Sequence, residues 1–354
     1  MTISLTPYNR VTGRMKKFLP LILVGLLACG LIPTPQAVST PTLENTAQAA
    51  TATFSPTPAV SSPDNPLGSD KNPLILALAP STNPSADVIN AGKVLASTLS
   101  NTTGYRFVSV IPPDEKELVE AFGNGNAHIG VLSPFGYLLA SNQGYVTAAF
   151  ARQQNGKIFY GAQFIVRNDA DFTSYYDPVK AQNTADVTAA LAQFGGKKPC
   201  WSDEFSPSGY VVPLGFLGEA GVKILEPAFM AGQPTVVRAV YAGGICDFGA
   251  TYIDARAYPG LEDSFPDVNQ KVVVVWQIPP IIPYETLVFA RGMTVDMRRV
   301  LTRAFVDLIS TPDGSSAMQT LYGFNAMSVI QDGQYDEFRK AVRASGLDLN
   351  TLVR

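Results

Sequence analysis

One histidine, His128, and three cysteines among 354 residues leave few groups for metal or nucleophile chemistry. No Gly-x-Ser-x-Gly elbow, Gly-rich phosphate loop or paired metal-ligand spacing occurs. An enzyme would need Cys200, Ser206 or Ser208 beside a base, and His128 sits in an alternating strand pattern where an ordinary sheet position is the simpler account. Charge is scarce as well. Only 16% of residues are Asp, Glu, Lys or Arg, with a net charge of −3. Without a basic stripe or an Arg/aromatic cluster, the composition argues against nucleic acid as a partner. Long apolar runs are also missing. Phe18 to Ala28 is too short to span a bilayer as a permanent helix, and Val272 to Ile282 is broken by Gln277 and prolines.

What is present starts at Met15-Lys16-Lys17, a short basic opening to that apolar run. Leu26-Leu27-Ala28-Cys29 resembles the lipobox of bacterial lipoproteins. The resemblance implies cleavage before Cys29, a diacylglycerol on its thiol, and a chain tethered to the bilayer outside the cytoplasmic membrane. The other reading is an ordinary secretory signal with an incidental cysteine. Met15 alone opens a complete signal, so the start at Met1 or Met15 stays open. Residues 1–29 are therefore expected to be a signal peptide. Residues 30–72, dominated by Thr, Pro, Ser and Ala, cannot bury enough surface to offset chain entropy, and are expected to be a disordered tether.

From Pro73 onward the chain is apolar and alternates strand-like with helix-like segments. About 280 residues exceed what one core usually serves, so two lobes are expected. Leu74 to Ala79 reads as a strand buried on both faces, followed by a helix to about Leu99 capped by Ser85 or Asn83. Strands at Arg106–Ile111, His128–Leu132 and Val146–Ala151 alternate with helices at Asp114–Phe122 and Phe135–Ser141. A longer strand, Phe159–Val166, leads out of this lobe. The second alternation comprises a helix from Thr184, strands at Pro199–Asp203 and Cys246–Ala250, a helix opening at Ser208, and strands at Lys271–Gln277 and Thr286–Ala290. Amphipathic helices at Val295–Ile309 and Tyr335–Ala344 are expected on the first lobe, separated by a Pro312-Asp313-Gly314 turn. The fold class is α/β: two lobes with mixed, mostly parallel sheets, lobe 1 covering 73–166 and 284–354 and lobe 2 covering 167–283. Two crossovers, near Ile165–Asn168 and Ile278–Tyr284, join them around a ligand cleft.

Three segments carry a family resemblance. They are Ile129-Gly130-Val131-Leu132-Ser133-Pro134-Phe135-Gly136-Tyr137, Asp203-Glu204-Phe205-Ser206-Pro207-Ser208-Gly209-Tyr210, and Gly244-Ile245-Cys246-Asp247-Phe248-Gly249-Ala250. In this order the chain resembles the substrate-binding proteins of phosphonate, phosphite and phosphate ABC transporters, which have the type II periplasmic-binding-protein fold. The resemblance implies a small anionic ligand, hinge closure, an ABC permease as membrane partner, a monomer and no cofactor. It places Cys200 and Cys246 on neighbouring strands, so a disulfide is expected between them, with two buried thiols as the alternative.

The residues themselves fit an oxyanion. Ser206 and Ser208 offer hydroxyl donors at a helix start without formal positive charge, and Gly209 permits close approach of the backbone. Capping of the helix by the two serines is the plainer alternative. Ser81 and Thr82 occupy the matching place in the first lobe, where Ser133 opens the Pro134 turn and Tyr137 adds a phenol. Tyr210, Asp247 and Tyr252 are further candidates to line the second-lobe wall, although Asp247 serves equally well as a cap. Asp203 is expected to orient the loop. Where the family has a central Thr, Pro207 removes one hydroxyl and one N–H donor, which leaves room for a larger phosphonate or another organic anion such as a sulfonate. A sensory module remains an alternative to transport. Ferric capture by Tyr175-Tyr176 is a third reading, without His or carboxylate partners in the sequence.

Overall fold

The computed structural model describes residues 65–354; the signal at 1–29, the lipid site Cys29 and the tether as far as residue 64 lie outside the described residues. The end of the expected tether is folded. Gly68, at φ 87°, donates to the Asn72 carbonyl at 2.7 Å and accepts from the Arg106 N–H at 2.8 Å, and Leu67 packs on the core. One apolar side chain and a glycine turn thus dock residues 65–72, which composition alone assigns to a disordered stretch.

The first lobe opens with β1 (Leu74–Ala77) and α1 (Ala86–Thr103). Ser85, rather than Asn83, caps α1 by accepting from the Val88 N–H, and Gly104 closes it at φ 77°. Next come β2 (Phe107–Val110), α2 (Glu115–Gly123, capped by Asp114), β3 (Ile129–Leu132), α3 (Pro134–Asn142, capped by Ser133) and β4 (Val146–Arg152).

Residues 153–158 carry the chain to the second lobe, where β5 (Phe159–Arg167) pairs antiparallel with two later strands. The first crossover therefore precedes β5 instead of following it near Ile165–Asn168. An apolar strand buried on both faces looks the same in either sheet, and its partners lie about 80 to 125 residues downstream. The lobe continues through the hairpin β6 (Tyr176–Asp177) and β7 (Gln182–Asn183), then α4 (Val187–Leu191), capped by Asp186 and not Thr184. β8 (Pro199–Trp201) leads through a π turn at Pro207–Val211 into α5 (Val212–Glu219). β9 (Ala228–Phe229), α6 (Gln233–Ala242), β10 (Phe248–Tyr252), α7 (Leu261–Ser264), α8 (Val268–Lys271) and β11 (Val272–Pro283) complete it.

Tyr284 and Glu285 form the second crossover. β12 (Thr286–Ala290) returns to the first sheet, followed by α9 (Val295–Ile309), α10 (Pro312–Tyr322), β13 (Met327–Val329) and α11 (Asp336–Ala344). The Pro312-Asp313-Gly314 segment starts a helix instead of making a free turn, because Thr311 caps it and Pro312 takes the first helical position. The strand orders are β13-β4-β12-β3-β1-β2 and β11-β5-β10-β8-β9. In the first sheet β1, β2 and β3 run parallel; in the second β8, β9 and β10 do.

α11 departs from its expected place on the first lobe alone. It lies against α5 of the second, where Gly215 and Gly218 leave no room for a Cβ beside the Ala341 and Ala344 carbonyls. Lys340 pairs with Glu219 at 2.9 Å. Its other face stacks Phe338 on Phe135 of α3, ring centroids 5.8 Å apart. One apolar core continues through both lobes, and a second layer around Ile165, Val236, Val240 and Leu261 covers the α6 face of the second sheet. In that layer Cys200 of β8 is disulfide-bonded to Cys246, just before β10, with Cα atoms 5.6 Å apart.

Candidate ligand-binding site

In open α/β sheets, ligands bind beyond the carboxyl ends of the parallel strands. Here the loop after β8 is shaped by Asp203, whose carboxylate accepts from the Phe205 N–H at 3.0 Å and whose carbonyl accepts from the Ser206 N–H at 3.3 Å. Ser206 caps the following turn, accepting from the Gly209 N–H at 3.0 Å. Gln233, first residue of α6, donates through Nε2 to the Ser206 hydroxyl at 3.2 Å and to the Ser208 hydroxyl at 2.9 Å, while its Oε1 accepts from the Tyr252 N–H at 2.5 Å. One side-chain amide thus gathers Ser206, Ser208 and Tyr252 from two loops. At Gly209 a Cβ would collide with the Ser202 hydroxyl.

Both serines are buried, Ser208 to 1% exposure and Ser206 to 7%. Capping is real for Ser206, yet the bonds found on its oxygen are ones it accepts, so its own hydrogen remains a donor. Ser208 faces the phenol of Tyr160, which burial pushes to a raised pKa. Tyr160 stacks on Tyr284 at 5.0 Å, and Arg152, at the end of β4, lies 5.7 Å above the Tyr284 ring. Arg152 also bonds both oxygens of Glu285 at 3.1 and 3.2 Å. The second-lobe serine turn therefore abuts the two crossovers, where the lobes meet.

The first-lobe counterpart is the turn after β3. Ser133 donates its N–H to Glu115 Oε1 at 2.5 Å and its hydroxyl to Glu115 Oε2 at 2.7 Å, and accepts from the Gly136 N–H at 3.1 Å. A Cβ at Gly136 would overlap the Glu115 carboxylate, so that side chain would have to move aside. Burial raises the pKa of that carboxyl; the Ser133 bonds oppose the shift, and the nearby charge of Glu285 adds to it.

The other expected contributors make the following contacts. Tyr137 is fully buried; its hydroxyl donates to Asp332 and its ring lies 4.3 Å from Tyr335, so its phenol is used inside the first lobe. Asp247 precedes β10, is exposed, and accepts from the Lys198 N–H at 2.7 Å. That is the opposite end of the strand from Tyr252, about 16 Å away at strand rise, so the two cannot share a wall. Ser81 shapes its own turn, accepting from the Asn83 N–H at 3.2 Å, and Thr82 is exposed beside it; no hydrogen bond found here links either to the second-lobe serines. The Tyr210 ring packs 5.9 Å from Trp201 and 5.1 Å from Phe229. His128 is structural: Nδ1 accepts from the Ile75 N–H at 3.0 Å, and burial lowers its pKa to about 4. Tyr175 and Tyr176 lie along the edge of β11 and in the hairpin.

A cavity of about 560 Å³ occurs away from these groups, between β11, the β6–β7 hairpin, α5 and α11, with Trp276, Phe216, Asn183 and Lys340 in its walls. The serine turn contributes nothing to it. Sequence reading missed Glu115, which looks like an ordinary first-turn acid, and Gln233, which has no local signal. Tyr160 and Tyr284 were findable as aromatics flanking the crossovers.

A sequence model of the family described as "ABC transporter, phosphonate, periplasmic substrate-binding protein" matches residues 77–335. The chain belongs to this family. The phosphate-import protein PhnD of Mycolicibacterium smegmatis is 26% identical over 189 residues, 51% of this chain; the match spans about half of that relative's length, 54%. Among solved structures, XAC2383 from Xanthomonas citri bound to ATP aligns with a TM-score of 0.53 at 16% identity, over 77% of this chain and 96% of that one. The same protein bound to chloride ion gives 0.53 at 17% identity, over 77% and 97%. These likenesses describe the two-lobed type II binding-protein fold. The family is one of transporter binding proteins, which places its members outside the cytoplasm, and no described helix is long and apolar enough to cross a membrane.

Proposed function

We propose that this protein captures a phosphonate- or phosphite-like oxyanion between its lobes and delivers it to an ABC permease. The observation that carries the reading is the Ser206-Pro207-Ser208-Gly209 turn. It stands at a helix start beside both crossovers, and Ser206 keeps a free hydroxyl hydrogen. Uncharged donors at a helix N-terminus suit an anion. Ser208 is buried, and hinge motion of the lobes about the crossovers is the movement in this account that admits the ligand and closes over it. Pro207 supplies neither hydroxyl nor N–H, which favours an organic phosphonate over a compact anion gripped on all sides. Cys29 carries the lipid in this account, residues 30–64 form the tether, and the chain acts as a monomer without enzymatic turnover.

Thermal shift against phosphite, phosphate, alkylphosphonates, aminoalkylphosphonates and sulfonates tests the ligand class, since bound ligand raises the melting temperature by mass action. Stabilisation by phosphonates or phosphite is expected, and stabilisation by sulfonates alone would replace the reading. Release of the protein from the membrane fraction by Cys29→Ala tests the anchor.

A further inference from the structure

Arg354 reaches from one lobe to the other. Leu352 and Val353 before it are buried in the core. Its backbone oxygen accepts from the Glu115 N–H at 2.7 Å, one of the orphan donors at the start of α2. Glu115 in turn holds the Ser133 turn through its carboxylate. The main chain of Arg354 therefore belongs to the first lobe. Its side chain lies over the Phe205 ring of the second, with the guanidinium carbon 3.1 Å from the ring centroid, and that stack is the contact found for the guanidinium among the described residues. Phe205 immediately precedes Ser206, and its own N–H is fixed to the Asp203 carboxylate at 3.0 Å, which ties the residue to the serine turn.

The lobes also meet where α11 lies against α5, but that contact is a close fit of backbone on Gly215 and Gly218. It holds the later turns of α5, whereas Arg354 acts on the turn from which α5 starts. Arg354 is exposed and Phe205 half-buried, so the guanidinium can exchange the ring for water. A cation over a partly exposed ring is a weak and reversible tie, which suits a contact that must form and break. We propose that Arg354 is a positioning residue that latches the lobes: its backbone is held by the first lobe, and its guanidinium clasps Phe205 to keep the Ser206–Ser208 turn set against that lobe. The latch favours the closed arrangement before any ligand arrives. Its effect on affinity rests on the reading above, in which the Ser206–Ser208 turn receives the oxyanion, and follows because a ligand bound in the closed form gains by whatever raises that form's population.

Hydrogen exchange read by mass spectrometry on the ligand-free full chain tests the latch without a ligand. Wild type, Arg354→Met, Phe205→Leu, the double variant and Phe205→Tyr are compared over residues 203–211. Exchange there should quicken by about two- to fivefold in Arg354→Met and in Phe205→Leu, the factor that loss of an exposed cation–ring contact gives to an opening equilibrium. The double variant should be no faster than the faster single one, since both remove the same contact. Phe205→Tyr keeps a ring face and should match wild type. Unchanged exchange in both single variants, a change in Arg354→Met alone, or additive changes in the double variant overturns the latch. Calorimetric titration with phosphite, methylphosphonate and 2-aminoethylphosphonate then tests its bearing on the ligand: the probe that wild type binds should bind Arg354→Met and Phe205→Leu weaker by up to the same factor. Faster exchange with unchanged affinity overturns the link between latch and ligand. Binding of none of the three probes by wild type counts against the oxyanion reading and leaves the latch to stand or fall on the exchange result.

Discussion

Gln233 donates its side-chain amide to the hydroxyl of Ser208 at 2.9 Å, and the same amide holds the Tyr252 backbone through its oxygen. This side chain links the start of α6 to the turn before α5 and to the end of β10. Gln233→Ala leaves the half-buried Tyr252 N–H and two buried hydroxyls short of a partner. A loss of about 1–3 kcal/mol is expected in urea unfolding; a change below a few tenths would mean the network contributes little.

The α5–α11 contact depends on glycine. Gly215→Val places a side chain against the Ala341 carbonyl, where no space exists. Overpacking of this kind costs about 1–3 kcal/mol. Because α5 begins at the serine turn, calorimetry on the folded fraction should also show weaker ligand binding. Wild-type stability in this variant would mean that α11 can shift away freely.

The Cys200–Cys246 bridge closes a segment of 46 residues. In the chain-entropy account such a loop contributes about 4 kcal/mol. The Cys200→Ser/Cys246→Ser double variant should lose stability of that order in denaturant unfolding. An unchanged midpoint would contradict it.

His128 gives a pH signature. Its folded pKa is about 4, below the ordinary 6.5, because burial disfavours the imidazolium. Between those values the unfolded chain binds the proton and the folded chain does not. Stability is therefore fully present above about pH 6.5 and is lost as pH falls toward 4, by up to roughly 3 kcal/mol. His128→Asn keeps an acceptor for the Ile75 N–H without the titration. Urea unfolding at pH 7 and pH 4.5 should show a smaller pH-dependent loss in this variant; equal losses would assign the acid sensitivity to other groups.

Much of the architecture was legible because its signals are local. Apolar runs such as Leu74–Ala77 and caps such as Ser85 are set by neighbouring residues. What was not legible depends on partners far along the chain. β5 reads as an apolar strand, but only β10 and β11 decide which sheet it joins. Asp247 reads equally as a wall residue or a cap, because sequence does not tell which end of β10 faces the other lobe; its bond to the Lys198 N–H is of the second kind. Pro312-Asp313-Gly314 has the composition of a turn and the position of a helix start. At the candidate site, Ser206 and Ser208 announced themselves through their motif, while Gln233 and Glu115 act through contacts 25 and 18 residues away.

The most direct test of the account is calorimetric titration of Ser208→Ala beside wild type, using whichever phosphonate or phosphite the thermal screen selects. Loss of a hydroxyl that meets an anion should weaken binding by about 1–3 kcal/mol, roughly 5- to 150-fold, with the fold intact by circular dichroism. Affinity equal to wild type would contradict the account and reduce the serine turn to a helix cap held by Gln233.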